Sequence, residues 1–451
     1  MPIRSVELFT NMASKSLTGQ IKDKLIQQAL ERKLKKTESG TGDASPLKIN
    51  ADIPETWYRF DQYPGYKQLQ IIYQGGAQFG IASPFFRIHD GIAGATTQIN
   101  GREFINYASY NYLGLSGDAR VAAAAKAAID QYGTSVSASR LVSGERPIHR
   151  QLEAALAEAY GVDDAVVMVS GHATNVTTIG YLFGANDLIL HDELAHNSTL
   201  VGAQLSGAKR LPFPHNDFAA LDKLLTEQRR HYQRVLIVIE GLYSMDGDYP
   251  DLPRFIDVKH KHRAFLMVDE AHSFGVMGDK GLGIHEHFAV NGKDVDIWMG
   301  TLSKSLAGCG GFIAGESALI EHLKFLAPGF LYSVGMPPQV AAPALAALSI
   351  LRKEPERAKR LHDRSAYFLE MAKKAGIDTG LSQGIAIVAA ITGSSVNAAR
   401  LSQALFDKGI NAQPILYPAV PEKSARLRFF ISCDHTEQQI DQTIDALRAV
   451  L

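Results

Sequence analysis

The chain has 451 residues, enough for about two or three units that bury their cores without disulfide staples. Forty-six Lys and Arg against forty-seven Asp and Glu leave a formal charge of -1, which excludes a global field for nucleic acid or an anionic membrane. The 46% hydrophobic and 21% charged residues exclude overall disorder.

The opening MPIRSVELFTNMASKS lacks the apolar core of a signal peptide. Cys309 and Cys433 lie far apart without metal-ligand spacing, and no apolar run approaches the ~20 residues of a membrane span. A soluble protein of the reducing cytoplasm is expected. Residues 18–36 set Ile21, Leu25, Ala29 and Leu30 near one face among basic residues, predicting an amphipathic basic helix, and a Ser/Gly/Asp/Pro-rich linker completes a first segment, 1–50. Residues 51–111 mix aromatic and polar stretches with Gly-containing turns between β-like runs, and are expected to form an N-terminal lobe.

From 112 to 338, helical patterns such as RVAAAAKAAIDQYG alternate with the apolar runs DAVVMVS, DLILHD, KRLPF, RVLIVIEG, AFLMVDEA and IWMGTLS. This alternation predicts an α/β fold with a large, doubly wound, mostly parallel sheet, whose ligands bind at the carboxyl ends of strands. Residues 339–451 read as one long helical stretch, a strand AIVAAIT, a helix, a strand RLRFFISC and a last helix, a second and smaller α/β domain.

Polar residues gather where two of those runs end. AFLMVDEAHSFG ends in Asp269, Glu270 and His272, and IWMGTLSKSLAGCGG ends in Thr301, Ser303, Lys304 and a glycine run. Each is ordinary alone, a helix cap or a solvated loop lysine. Together they suit pyridoxal phosphate: the carboxylate keeps the pyridine nitrogen protonated and the lysine forms the Schiff base. Hydroxyls and glycines beside the lysine let backbone N–H groups approach a phosphate.

DEAHSFGVMGDKGLG followed by GTLSKS resembles the α-oxoamine synthases, fold type I pyridoxal-phosphate enzymes that join an amino acid to an acyl thioester with loss of carbon dioxide. YNYLGLSG, RLVSGERPIHRQLE, SGHATN, HDELAHNS, PHND, EGLYSMDGD and RLRFFISCDHT occur in the family's order, so the resemblance spans roughly residues 75–451. It implies a homodimer with the site at the subunit interface. Lys304 would carry the cofactor and move the α-proton, Asp269 would pair with the ring nitrogen, His272 would reach the phenolic oxygen or substrate carboxylate, and His196 would stack on the ring. Gly171, His172, Thr301 and Ser303 would hold the phosphate, with Ser333 added from the partner subunit and Ser244 near the phenolic oxygen. Asn111 and Arg428 would bind the amino acid's carboxylate. Strand alternation puts Arg426 and Arg428 on one face, so spacing does not separate them, and the family's choice is the second.

Ala307 stands where the family commonly has glycine. HEHF (285–288) and HKH (260–262) imitate metal ligands without the i, i+4 pair of a zinc helix, so a surface role is expected and no metal. The rival readings are a fold type I aminotransferase, which releases no carbon dioxide, and a catalytically silent partner subunit, against which Lys304 argues. The stretch from Pro84 to Val121 resembles members of fatty-acyl and polyketide assembly lines, which points to a donor on acyl carrier protein, with acyl-coenzyme A left open as the alternative. The amino acid, among glycine, alanine and serine, and the acyl length are not encoded in a readable pattern.

Overall fold

The computed structural model describes residues 53–78 and 82–451, divided between two compact units, Met1–Phe86 and Arg87–Leu451. The expected basic helix and linker of 1–50 lie outside the described residues. In the first unit, 3-10 turns at Glu55–Trp57 and Phe60–Gln62 precede a helix, Pro64–Gln78, which opens on proline, a residue whose missing N–H costs nothing in the first turn.

The second unit begins with a hairpin, β1 (Thr96–Ile99) and β2 (Arg102–Asn106). Asn100 and Gly101 both take positive φ, 51° and 74°, the tight turn that matches the twist of the strands. Seven strands follow: β3 (Asp164–Met168), β4 (Leu188–Asp192), β5 (Lys209–Phe213), β6 (Val235–Glu240), β7 (Phe265–Asp269), β8 (Ile297–Thr301) and β9 (Gly311–Gly315). Their order is β3-β9-β8-β7-β6-β4-β5, parallel from β8 to β5, with β9 antiparallel to both neighbours. Apolar residues face both sides: Val167, Ile237 and Val268 enter one core, and Val166, Val238 and Met267 enter the other. A sheet covered on both faces needs such uninterrupted apolar runs.

The third layer of strands is β10 (Ile387–Ile391), β11 (Ile410–Asn411), β12 (Gln413–Ile415) and β13 (Arg426–Phe430). β10, β13 and β12 form an antiparallel sheet, while β11 pairs parallel to β2, so the 51–111 stretch does not stand apart as one lobe: its hairpin shares a sheet with residues 410–411. The long helical stretch expected over 339–376 is two helices, Pro338–Lys353 and Glu356–Lys374. Pro355 ends the first because it offers no N–H to the preceding turn. That first helix packs on Ala119–Tyr132 and Pro147–Tyr160 of the large sheet's covering layer. No helix among the described residues is long and apolar enough to cross a membrane.

Candidate active site

Five strands present their carboxyl ends to one rim, and the polar residues stand there. Asp269 closes β7 and Glu240 closes β6, in register with each other, while Thr301 closes β8. Asp269 is buried, its Oδ1 accepting from Ala271 N at 2.9 Å and its Oδ2 from Asn175 Nδ2 at 2.8 Å. Lys304 follows β8, with Nζ 5.5 Å from the Tyr110 ring centre and no hydrogen-bond partner among the described residues. Burial pushes its pKa down to about 8, against the opposing pull of Asp269 and Glu240. An amine so placed is half deprotonated near pH 8, far below the ordinary lysine range.

A chain of polar groups ties His196 to Asp269. His196 caps the helix Asn197–Ser206, its Nδ1 accepting from Ser198 N at 3.3 Å and lying 2.7 Å from Ser198 Oγ. Ser198 Oγ accepts from Asn175 Nδ2 at 2.9 Å, and the same Nδ2 reaches Asp269. His196 N donates to Glu240 Oε1 at 2.6 Å. Although its ring is open to solvent on one side, desolvation by the surrounding protein lowers the imidazole's pKa and favours the neutral form, and Nδ1, as an acceptor, leaves the hydrogen on Nε2. His272 is buried with Nδ1 2.8 Å from Tyr112 Oη and stacks on Phe430. Burial, with Lys304 and Arg428 near, drives its pKa well below the usual value and keeps it neutral.

Beside these lies a cradle for an anion. Ser170 caps the helix Gly171–Leu182 by accepting from Ala173 N, and the N–H groups of Gly171 and His172 have no partner among the described residues. A Cβ on Gly171 would stand 2.9 Å from Thr301 Oγ1, so only glycine lets the turn approach β8 this closely. Thr301 Oγ1 donates to Gly310 O at 2.8 Å and accepts from Ser303 N at 3.2 Å, which folds the Lys304 loop back on itself. In that loop Ala307 has φ +51°, a left-handed conformation natural to glycine, the residue type the resemblance leads one to expect there. His172 is exposed, its ring 6.3 Å from that of His196. Ser333 lies apart from this cluster's hydrogen bonds, half-buried, donating to Gly329 O at 2.7 Å.

The two arginines of β13 separate clearly. Arg426 is buried in an ion pair with Asp246 and also donates to Met245 O and Ser424 O. Arg428 donates through Nη1 to Ser244 O at 3.1 Å, and its buried Nε has no partner. Ser244 thus meets Arg428 through its carbonyl. Asn111 is buried with its amide spent on backbone groups, donating to Ala93 O, ahead of the β1–β2 hairpin, at 3.2 Å and accepting from Ser116 N, in its own loop, at 3.1 Å.

Residues unmarked in the sequence reading complete the site: Tyr110, Tyr112, Asn175, Ser198 and Glu240. Asn175 and Ser198 lay inside motifs already noticed, four residues into a helix and two after His196, but nothing local shows that they meet. The surface role expected for His285 is wrong: it is buried between Tyr160 and Trp298, ring centres 5.1 and 5.6 Å away. His262 and Lys261 share Asp222 at 2.6 and 2.7 Å, and no group of ligands able to hold a metal occurs among the described residues.

A family model described as aminotransferase class I and II matches residues 102–447. The 8-amino-7-oxononanoate synthase of Fervidobacterium nodosum is 42% identical over 360 residues, 79% of this chain and 91% of that protein. That of Symbiobacterium thermophilum is 41% identical over 352 residues, 78% and 89% of the two chains. Among solved structures, serine palmitoyltransferase of Sphingomonas wittichii superposes with a TM-score of 0.81 at 30% identity, covering 86% of this chain and 97% of its own. A structure of SPT with its PLP internal aldimine gives 0.82 with the same identity and coverage.

Proposed function

We propose a function from one premise: the chain belongs to the α-oxoamine synthase family, within the class I and II aminotransferases. It is a pyridoxal-phosphate-dependent enzyme that condenses an amino acid with an acyl thioester and releases carbon dioxide. The observation that carries the assignment of its site is the unpaired Lys304 amine, its pKa brought down to about 8, on the same rim as the anchored carboxylate of Asp269.

The residues present fit the cofactor. The free N–H groups of Gly171 and His172 with the hydroxyls of Thr301 and Ser303 would hold its phosphate, and the exposed ring of His196 offers it a flat face. When bound, pyridoxal phosphate supplies an electron sink for charge at the amino acid's α-carbon. Asp269 would hold the proton on the pyridine nitrogen, with Asn175 and Ala271 N keeping its carboxylate aimed. Lys304 would take the α-proton, a task for a neutral amine. His272, neutral and steadied by Tyr112, would meet the phenolic oxygen or the substrate carboxylate. Arg428 would bind that carboxylate through its unpartnered Nε, with Asn111 bracing the loop beside it. Ser244 would serve chiefly by its carbonyl, which seats Arg428.

The enzyme is proposed to be a homodimer. Leu141, Val142, Phe325, Leu326, Tyr332 and Val334 are exposed, and Ser333 stands between two of them, which suits a partner subunit's site. We also propose a cytoplasmic location and an acyl carrier protein as the thioester's bearer, on the resemblance at Pro84–Val121. The test is mass spectrometry of products from glycine, alanine and serine with acyl-coenzyme A and acyl-carrier-protein donors. An α-amino ketone formed with one carbon dioxide, at lower KM for the carrier-borne donor, is expected. A keto acid without carbon dioxide would indicate an aminotransferase, and equal KM values would remove the carrier protein.

A further inference from the structure

His215 stands between two buried carboxylates beside the site, in the Pro214–Asp217 turn that follows β5. Its Nδ1 lies 2.9 Å from Asp192 Oδ1, at the end of β4, and its Nε2 lies 2.8 Å from Asp248 Oδ2, in the connection after β6. An acceptor at each ring nitrogen requires hydrogen on both, so the ring is an imidazolium. Each carboxylate is held further. Asp192 accepts from Leu194 N and Asn216 N, both at 2.8 Å, and Asp248 accepts from Asn216 Nδ2 at 2.9 Å. The other ionisable groups around the ring are Glu193, which accepts from His215 N at 3.1 Å, Tyr243, whose ring stands edge-on at 4.5 Å, and Glu240 beside Tyr243. None of them is a cation, and the two aspartates hold the imidazolium up to about 10 despite burial.

The two carboxylates belong to connections that carry site residues. From Asp192 the chain passes through Leu194 to His196. Asp248 closes the turn from Tyr243, its carbonyl accepting from Tyr243 N at 2.9 Å. Within that turn, Ser244 O and Met245 Sδ receive Arg428 Nη1 at 3.1 and 3.4 Å, Asp246 pairs with Arg426, and Asp246 O accepts from Ser382 Oγ at 2.6 Å. A single charged ring therefore joins the connection bearing His196 to the turn that seats Arg428.

We propose that His215 is a positioning residue, a fixed cation whose bridge between Asp192 and Asp248 sets the Tyr243–Asp248 turn, and through it Arg428, for the amino-acid substrate. The kinetic consequence rests on the condensation reading; the state of the ring does not. The test uses cofactor-loaded enzyme, with 13Cε1-labelled histidine for NMR, and the variants His215→Gln, Asp248→Asn and the two combined. The resonance missing from His215→Gln should keep its imidazolium position from about pH 6 to 9, where an ordinary histidine titrates near 6.5. Each single variant should raise the amino-acid KM about tenfold while the acyl-thioester KM moves less than about twofold. The double variant should lose less than the product of the two, because the carboxylates no longer face each other without a cation. Should His215→Gln not fold, Asp248→Asn keeps the ring and must both raise the amino-acid KM and bring the titration into range. If wild type condenses nothing, amino-acid affinity read from the cofactor's absorbance replaces KM, so the two failures stay distinguishable. A wild-type ring that titrates near 6.5, or folded variants with a lower melting midpoint and unchanged amino-acid affinity, would overturn the proposal.

Discussion

Replacing Arg428 with alanine removes a guanidinium whose Nε is buried without a partner and whose Nη1 donates to two uncharged acceptors, Ser244 O at 3.1 Å and Met245 Sδ at 3.4 Å. Little stability depends on it. What it holds in reserve is a charge-assisted hydrogen bond for a carboxylate, about 1.5–3 kcal/mol, or about 10- to 150-fold in affinity. Arg426, two residues away on the same face, is the opposite case. Its ion pair with Asp246 is buried on both sides, with exposures of 6% and 8%, and Arg426→Ala would leave a buried aspartate facing nothing, at a cost of about 3–5 kcal/mol. Steady-state kinetics with amino acid as the varied substrate and urea unfolding followed by fluorescence separate the two. Arg428→Ala should raise the amino-acid KM within that range at a nearly unchanged urea midpoint, and Arg426→Ala should lower the midpoint sharply. A KM within twofold of wild type for Arg428→Ala, or a midpoint unmoved by Arg426→Ala, refutes the assignment of binding to one and structure to the other.

Cofactor uptake by the apoenzyme should rise about tenfold per pH unit below about 8 and level off above, because only the neutral Lys304 amine is nucleophilic and its folded pKa is depressed to that value. Stopped-flow absorbance checks this, and Lys304→Ala should show no visible chromophore at any pH. Gly171→Ala should speed loss of cofactor on dialysis by at least about tenfold, since the new methyl group meets Thr301 Oγ1 at 2.9 Å and its Cβ at 3.3 Å. An unchanged rate would mean that the turn yields without disturbing the cradle.

The large sheet was legible because its central strands β4, β6, β7 and β8 are buried on both faces and read as apolar runs, each closed by a polar residue. β9 escaped notice: Gly311–Gly315 is Gly-Phe-Ile-Ala-Gly, and glycines at both ends read as loop, although they are the residues that admit neighbouring backbone, Gly311 to Gly171 and Gly315 to Asp296. Lys304 and Asp269 were readable for a chemical reason, an amine and a carboxylate at successive strand ends. The relay from His196 through Ser198 and Asn175 was not, because Asn175 and Asp269 are 94 residues apart and Ser or Asn is ordinary near a helix start. His285 failed for the same cause in reverse. The missing i, i+4 histidine pair argued against a metal and left a surface role as the expectation, but only tertiary packing of Tyr160 and Trp298 decides that its ring is covered.

The antiparallel strand β9 also bears on the order in which the site is assembled during folding. Residues 302–310, which contain Lys304, span a hairpin between adjacent strands, whereas Asp269 at the end of β7 is joined to β8 by the far longer stretch 270–296. By chain entropy alone, closing the shorter connection costs about 1 kcal/mol less. The β8–β9 ribbon is thus a local structure that a nascent chain reaches early, and the lysine is in its loop before the crossover brings Asp269 alongside. Ligand encountered by such a half-built chain finds the reactive amine without the carboxylate, so the competence to retain it arrives only with the β7–β8 pairing.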